Sequence, residues 1–264
     1  MSLANVLAIS HAARSLILLG GPQQLEQPLK GSHPDGSAVS VLQHVLGDQK
    51  TMPDDAGLFL TETRRMHPAL CAFTSELFYE SKLHSYAGLE NQAIVGPGPI
   101  NGAGLWYLPV EHEGNQNVAP EEVQAIVRLV SAQAGASWTD RDGASRPVTL
   151  EDILIVAPYN AQVAAIRDAI PGARVGTVDR FQGQQAPVAI YSLTTSTPED
   201  APRGMGFLYS LNRLNVATSR ARCAAIIVGS SKLFERDCQT PRQMRLANAL
   251  CRFREMATTM ALAD

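Results

Sequence analysis

The sequence predicts an α/β fold in which helices cover both faces of a parallel β-sheet. From Gly57 onward, apolar strand-like runs alternate with helix-like segments, which is the pattern of parallel strands joined by helical crossovers. Hydrophobic residues make up 45% of the 264 residues and charged residues 18%, as in soluble globular proteins. This length suits one large domain, or one and a half smaller ones.

The strands are predicted from short apolar runs and the helices from longer amphipathic ones. Predicted strands lie near residues 105–110, 153–157, 174–178, 188–194 and 225–228. Predicted helices lie near residues 68–79, 120–134, 160–170, 207–221 and 242–260. Upstream, we expect a helix over residues 2–15, a buried strand over residues 16–19 and a short helix over residues 39–46, too few elements for a sheet of their own.

The most informative part of the chain is a strand that enters a polar loop, followed by a second strand and an arginine-bearing helix. The loop carries Thr177, Asp179, Gln182 and Gly183, and its position predicts hydrogen-bonding groups at the carboxyl edge of the sheet, where open α/β folds bind ligands. The glycine is expected to permit a positive φ. If the arginine-bearing segment is helical throughout, Arg213 and Arg220 share a face, whereas Arg222 points almost opposite.

These two blocks, residues 175–185 and 214–222, resemble motifs V and VI of superfamily 1B helicases, the RNA-surveillance and Okazaki-fragment nuclease-helicase type. Residues 16–25, Leu-Ile-Leu-Leu-Gly-Gly-Pro-Gln-Gln-Leu, resemble motif III. Residues 60–68 resemble motif IV with its Arg-Met-x-Pro pattern. The four motifs occur in the family's order. The chain is also similar to bacterial proteins that fuse a RecB-like nuclease to such a helicase.

The resemblance implies a RecA-like fold of the P-loop NTPase type, in which a first lobe holds the phosphate loop and an acidic strand. Neither motif occurs in these residues: the one Lys followed by Ser or Thr is Lys50, and His44 and Gln49 stand where glycines are required. We therefore expect residues 1–57 to be the C-terminal remnant of the first lobe and residues 58–264 to be the second lobe. ATP and Mg would bind the intact enzyme, and neither is expected to bind this chain tightly alone.

The resemblance also implies roles for particular residues. Arg220 corresponds to the arginine finger, Arg65 to a second γ-phosphate arginine and Gln24 to the γ-phosphate sensor. The remaining nucleotide-site positions are Gly20, Gly21, Gln185 and Arg213, and those coupling to nucleic acid are Thr177, Asp179, Gln182, Gly183 and Asn160.

The chain departs from the family pattern at three positions. Gly21 replaces an aspartate, Gln185 replaces a glutamate, and Arg64 stands where an aromatic residue is common. Taken without the resemblance, Arg220 fits a solvated helix face, Arg64 and Arg65 fit an exposed basic pair, and Asn160 fits a helix cap.

Charge and composition limit the partners. A net charge of −3 argues against a broad nucleic-acid footprint, so we expect weak binding of single-stranded DNA or RNA without sequence preference. The cysteines form no Cys-x-x-Cys pair and are expected to be reduced, which predicts a cytoplasmic protein. No signal peptide or membrane span is expected, because the N-terminus lacks a basic segment leading into an apolar core and no apolar stretch is long enough to cross a bilayer. No metal site is expected, because residues 111–113 (Glu-His-Glu) have no second ligand pair.

Two other hypotheses remain open at this stage. The missing phosphate loop and the two lost acids are also compatible with a stand-alone interaction module that binds a partner or single strands without ATP. A degenerate gene fragment is the second alternative. Under the helicase hypothesis, the expected partners of this chain are the missing first lobe and, in the fused type, a nuclease domain.

Overall fold

A computed structural model describes residues 1–21, 23–25, 36–47, 49–235 and 238–262 of the chain. The α-helices of this part are α1 Leu3–Ile9, α2 Val41–Leu46, α3 Pro68–Phe78, α4 Pro120–Ala132, α5 Asn160–Ala169, α6 Met205–Leu208, α7 Leu211–Thr218 and α8 Pro241–Met256. The strands are β1 Glu62–Thr63, β2 His84–Ser85, β3 Ala93–Val95, β4 Gly104–Pro109, β5 Ser137–Thr139, β6 Ser145–Pro147, β7 Ile153–Val156, β8 Arg174–Gly176, β9 Ala186–Ser192, β10 Ala221–Gly229 and β11 Thr258–Thr259. Pro22, within the stretch that resembles motif III, lies outside the described residues.

The main sheet has six strands in the order β11-β4-β10-β9-β7-β8, and every neighbouring pair is parallel. All residues of β7 and β9 are buried. Near-continuous apolar runs are typical of parallel strands, because both of their faces are covered. The five strands predicted from such runs are all present in this sheet.

Helices cover the sheet on both faces, as the sequence predicts. Alternate residues of β4 enter different cores: Leu105 and Tyr107 join one, Trp106 and Leu108 the other. Helices α3, α7 and α8 supply side chains to the first core, and α4 and α5 to the second. In the first, the Phe73 ring meets Phe253 edge-on at 5.3 Å. The arrangement is the RecA-like α/β fold.

Two smaller sheets stand beside the amino end of the main sheet. Strands β1 and β2 form a parallel pair, and β3, β5 and β6 form an antiparallel sheet. The turn between β5 and β6 is closed by Asp140, whose Oδ1 accepts hydrogen bonds from the backbone of Asp142 at 2.9 Å and Ala144 at 3.0 Å. We refer to residues 137–147 as the β5–β6 hairpin.

Four predicted elements differ from the structure. The helix predicted over residues 2–15 is α1, which ends at Ile9 and is followed by a 3₁₀ turn over Ser10–Ala12. The helix predicted over residues 207–221 is two helices, α6 and α7, and the second ends at Thr218. The helix predicted to reach residue 260 ends at Met256, and β11 follows it. The buried strand predicted over residues 16–19 is wrong, since Ile17 is 87% and Leu19 is 91% exposed. Among the described residues no strand lies beside this segment to pair with it and cover it.

Candidate functional site

Three of the motif-bearing segments meet at the amino ends of β9 and β10. Arg65 Nε donates a hydrogen bond to Gln185 Oε1 at 2.9 Å, and Arg65 Nη1 donates to the Ser219 carbonyl oxygen at 2.9 Å. Gln185 directly precedes β9, and Ser219 directly precedes Arg220. Residues predicted from motifs IV, V and VI are therefore in contact, although long stretches of chain separate them.

A cleft of about 280 Å³ opens beside this junction. We call it the arginine cleft, because four arginines line it: Arg64, Arg65, Arg141 and Arg222. The rest of its wall is formed by Leu89, Gln92, Trp138, Asp140, Asp142 and Gln185.

The backbone around Arg65 and Arg222 is held by buried hydrogen bonds. Gln92 is 3% exposed, and its Nε2 donates to the carbonyl oxygens of Arg65 at 3.0 Å and Arg222 at 3.3 Å. The His67 backbone N–H donates to the same Arg222 oxygen at 2.8 Å. Helix α3 then begins at Pro68, and proline is well tolerated in the first turn of a helix. One amide thus joins the arginine before α3 to the start of β10.

The positive charges of the cleft are poorly compensated. Burial lowers the pKa of Arg65, and the charge of Arg222 lowers it further. Burial also lowers the pKa of Arg222, with the charge of Arg146 as the next cause. Within the described residues, Arg222 has no ion pair; its guanidinium carbon lies 5.7 Å from the centre of the Trp138 ring. Arg65 and Arg222 are thus half-buried cations without an ion pair among the described residues, although Asp152 and Asp140 offset part of the Arg222 charge. Such cations favour an anionic ligand.

Arg220 lies next to this junction, but its side chain turns inward. It is 4% exposed, its Nε donates to Val216 O at 3.1 Å, and its Nη1 donates to Gln184 O at 3.4 Å. Burial, followed by the charge of Arg65, lowers the pKa of Arg220 to about 10.

The prediction that Arg213 and Arg220 share a helix face is therefore wrong. Helix α7 ends at Thr218, so helical spacing does not extend to residues 220 and 222. Arg222, expected to point away from the site, lines the cleft instead.

A second group of predicted residues lies at the carboxyl ends of β7 and β8. Asn160 follows β7, and Thr177 and Asp179 follow β8. Arg213 belongs here, since its Nη1 lies 3.5 Å from Asp179 Oδ2 and its guanidinium carbon lies 4.3 Å from the centre of the Phe207 ring. We call this group the coupling edge.

In this region the structure decides whether Asn160 caps a helix and whether Gly183 has a positive φ. Asn160 is the first residue of α5 and is exposed; the N-cap is Tyr159, so capping does not explain Asn160. Gly183, in the exposed stretch that also holds Gln182, has φ of +82°, as its glycine predicts.

The loop 177–185 connects the two ends of the sheet. The last residue of β8, Gly176, pairs in register with Val156 of β7, and Val156 pairs with Tyr191 of β9. Because β9 begins five residues before Tyr191, its first residue lies about 16 Å from the level of Gly176 along the strand direction. The carboxyl-edge prediction, made for Thr177, Asp179, Gln182 and Gly183, does not extend to Gln185 or Arg220, which lie at the amino ends of β9 and β10. A connection between parallel strands must return to the amino end, and these residues lie where it arrives.

The turn that resembles motif III packs against α7. Asn212 Nδ2 donates to Gln24 O at 2.6 Å, and Asn215 Nδ2 donates to Gln23 O at 2.8 Å. A Cβ placed on Gly21 would lie 2.9 Å from Gln24 Nε2, whereas one on Gly20 would lie 2.9 Å from a Leu42 methyl group. The structure places Gln24 against the first turn of α7 rather than in the arginine cleft.

Sequence reasoning missed a buried network at the carboxyl end of β9. Glu122 is fully buried; its carboxylate accepts hydrogen bonds from Ser192 Oγ at 2.5 Å and the Thr194 N–H at 2.9 Å, and lies 3.0 Å from His112 Nε2. His112 Nδ1 lies 2.7 Å from Ser196 Oγ. We call these residues the Glu122 network.

Of the functional residues that the sequence analysis missed, Glu122 has a recognisable sequence signal. Glu122 lies four residues before the buried Ile126 of α4, so an acid on the apolar stripe of a helix signals a buried partner. Gln92 and Trp138 carry no local signal. No group of three or more His, Cys, Asp or Glu in the described part of the chain is placed to hold a metal ion.

Comparison with known proteins identifies the family. Residues 38–232 match the family model described as "AAA domain". The chain belongs to this family. A probable helicase of Dictyostelium discoideum is 29% identical over 242 residues, which covers 87% of this chain and 23% of that protein.

Two further relatives extend the comparison. The putative helicase MOV-10 of Gallus gallus is 30% identical over 273 residues, covering 87% of this chain and 27% of that protein. The DNA-binding protein SMUBP-2 of Mus musculus is 28% identical over 239 residues, covering 83% of this chain and 22% of that protein.

This AAA domain is therefore of the superfamily 1 helicase type, as the motifs indicate. The chain spans about a quarter of the length of these three relatives. In the part of the chain that the structure describes, every helix is too short or too polar to span a lipid bilayer.

Proposed function

We propose that residues 58–264 act as the second RecA-like lobe of an ATP-dependent superfamily 1 helicase and that residues 1–57 complete its first lobe. The observation that carries this proposal is the junction of Arg65 with Gln185 and with Ser219, next to Arg220. Residues that the family uses on one nucleotide thereby share one location.

The chemistry of the junction suits the phosphates of ATP. Arginine presents a planar fork of donors that matches phosphate oxygens, and Arg65 and Arg220 have no carboxylate partner within the described residues. In our proposal both arginines stabilise negative charge on the transferred phosphoryl group, the role of an arginine finger, and Arg220 must first turn out of its inward position. Mg, when bound with ATP, neutralises phosphate charge. Its acidic ligands would come from the acidic strand of the first lobe, since Gly21 and Gln185 replace two acids in this chain.

Two segments run between the coupling edge and the arginine cleft. The loop 177–185 begins at Thr177 and ends at Gln185, and α7 begins near the Asp179–Arg213 pair and ends beside Arg220. We infer that single-stranded nucleic acid lies along the coupling edge, on Asn160, Gln182 and Gly183 as well as Thr177 and Asp179. A shift at that edge would then reach the phosphate arginines through either connector. With a net charge of −3, this lobe would bind single strands weakly by itself.

The compartment we propose is the cytoplasm. Burial raises the pKa of the Cys71 and Cys223 thiols, so both side chains are protonated and poorly reactive near neutral pH. Buried, unreactive thiols suit a reducing compartment.

ATP hydrolysis tests the proposed function. Purified chain with Mg, ATP and single-stranded DNA should match a blank without protein. Fusion of a relative's first lobe, with its phosphate loop and acidic strand, ahead of Met1 should produce turnover that nucleic acid stimulates. Turnover by the isolated chain that the Arg220→Ala variant loses would contradict the need for another lobe. A folded fusion that binds ATP and single strands but never hydrolyses ATP would favour the stand-alone interaction module, which the replacements at Gly21 and Gln185 support.

A further inference from the structure

We propose that Arg222 and Arg64 join Arg65 in a phosphate-binding site within the arginine cleft, and that its ligand is the polyphosphate chain of a nucleotide. The choice of a nucleotide rests on the proposed function; the anion site itself rests on the geometry. This anion site does not include Arg220, because Arg220 donates to main-chain carbonyl groups and does not line the cleft.

The acids of the cleft are already engaged. Asp142 pairs with Arg141 at 3.5 Å, and Asp140 Oδ1 accepts two backbone hydrogen bonds in the turn of the β5–β6 hairpin. Within the described residues, neither Arg64 nor Arg222 forms an ion pair. The Arg64 guanidinium carbon lies 4.7 Å from the centre of the Tyr86 ring, which leaves its donors free. Asp140 and Asp152 offset part of the Arg222 charge, but among the described residues the four arginines of the cleft outnumber its two aspartates, so the cleft keeps a positive charge.

Arg222 is held in position by a chain of contacts. Its backbone is fixed by the Gln92 amide, and its guanidinium lies against the Trp138 ring. Arg146 lies 4.9 Å from the centre of the same ring and forms two hydrogen bonds with Asp152, at 2.7 and 2.5 Å. The β5–β6 hairpin thus supports the cationic side of the cleft. A pre-positioned cation loses less conformational entropy when its ligand binds.

The number of arginines indicates the class of anion. Arg64, Arg65 and Arg222 converge on one cleft, whereas a single carboxylate ligand needs one bidentate arginine. A di- or triphosphate carries several negative charges along a short chain and can contact all three. Nucleic-acid backbone carries one charge per phosphate and would need an extended groove.

Binding of inorganic tripolyphosphate to the full chain, followed by calorimetry and by NMR shifts, tests the site. We expect Arg222→Ala and Arg64→Ala each to weaken binding roughly tenfold, the effect of losing one charged hydrogen-bonding partner. Arg245→Ala is the matched control, because Arg245 is exposed on α8 away from the cleft. Arg64 is also exposed, so its variant tests the site even if Arg222→Ala fails to fold.

Three results would overturn the proposal. Unchanged tripolyphosphate affinity in the Arg64→Ala variant would remove the site, and so would an equal loss in the Arg245→Ala control. Displacement of tripolyphosphate by a single-stranded oligonucleotide without terminal phosphates would assign the cleft to nucleic-acid backbone. Adenosine should not compete, whereas ATP should. Because this assay needs no turnover, an inactive two-lobe fusion would refute the helicase proposal and leave the anion site standing.

Discussion

The two ends of the main sheet treat buried charge in opposite ways. At the carboxyl end, the fully buried Glu122 carboxylate is surrounded by donors from Ser192 and Thr194 and by His112. At the amino end, Arg65 and Arg222 are partly buried together and repel each other, with no acid of the described chain paired to either. Removing the partners of a satisfied buried charge is strongly destabilising, and a buried charge that has no partner lowers stability unless a ligand supplies one.

Backbone strain follows the same division. Thr194 has φ of +71°, an unfavourable value for a β-branched residue, and the Glu122 carboxylate accepts the hydrogen bond of its N–H. The network thereby holds the chain that leaves β9. In the cleft, the backbone is held by Gln92, but the charges of Arg65 and Arg222 have no paired acid among the described residues. We infer that the Glu122 network maintains the scaffold and the arginine cleft acts on a ligand.

The largest expected effect is on turnover at the amino end. In the two-lobe fusion, Arg220→Ala should lower ATP turnover by about 10³- to 10⁵-fold, the range found for arginine fingers. The free energy of unfolding of the isolated chain should fall by only about 1 to 3 kcal/mol, because the Val216 and Gln184 carbonyl oxygens lose their donor. Steady-state ATPase assays and urea unfolding measure the two quantities. A loss of tenfold or less would contradict the catalytic assignment.

The second prediction concerns the free energy of unfolding at the carboxyl end. Glu122→Ala should lower it by roughly 3 kcal/mol, since several buried donors lose their acceptor at once. The matched control is Glu121→Ala, one residue earlier in α4 and exposed, which should change stability by less than about 0.5 kcal/mol. Urea unfolding of both variants gives the comparison. Equal effects would show that the Glu122 network does not carry the scaffold role.

The third prediction concerns the acid missing near α7. In the fusion, Gly21→Asp should raise ATP turnover by roughly 10- to 100-fold, as expected for a group that orders a metal's surroundings. The new Cβ would meet the end of the flexible Gln24 side chain, which can move aside. ATPase assays at saturating Mg measure the change. If the fusion folds and binds ATP but turnover is unaltered, glycine is accommodated there and the pocket is not impaired.

The smallest effect is expected from a substitution that gives Arg65 a charged partner, as the Glu122 network already does for the charge at the carboxyl end. Gln185→Glu would place a carboxylate where Arg65 Nε now donates at 2.9 Å. The new ion pair should add no more than about 1 kcal/mol of stability in this partly exposed place. It should also weaken tripolyphosphate binding several-fold, because an internal anion competes with the ligand. Urea unfolding and calorimetry measure both changes; tighter anion binding would contradict the account of the cleft.

Local patterns in the sequence predicted the parallel sheet, its helices and the motif segments. Apolar runs such as residues 188–194 are buried wherever they lie in the sheet, so their length and continuous apolar character identify them. The positive φ of Gly183 is likewise a local property, because glycine lacks the Cβ that disfavours this conformation. The order of the motifs led to the helicase family, which the comparisons confirm.

Long-range contacts settled which motif residues face the cleft. The end of α7 at Thr218 placed Arg222 in the cleft and turned Arg220 inward, against helical spacing. Gln92 joins Arg65 to Arg222 across 27 and 130 residues of chain, and no local pattern encodes such a bond. Periodicity reports which side of a helix or strand is buried. The partner of a polar side chain depends on how distant segments pack, and that packing forms only when the whole chain folds.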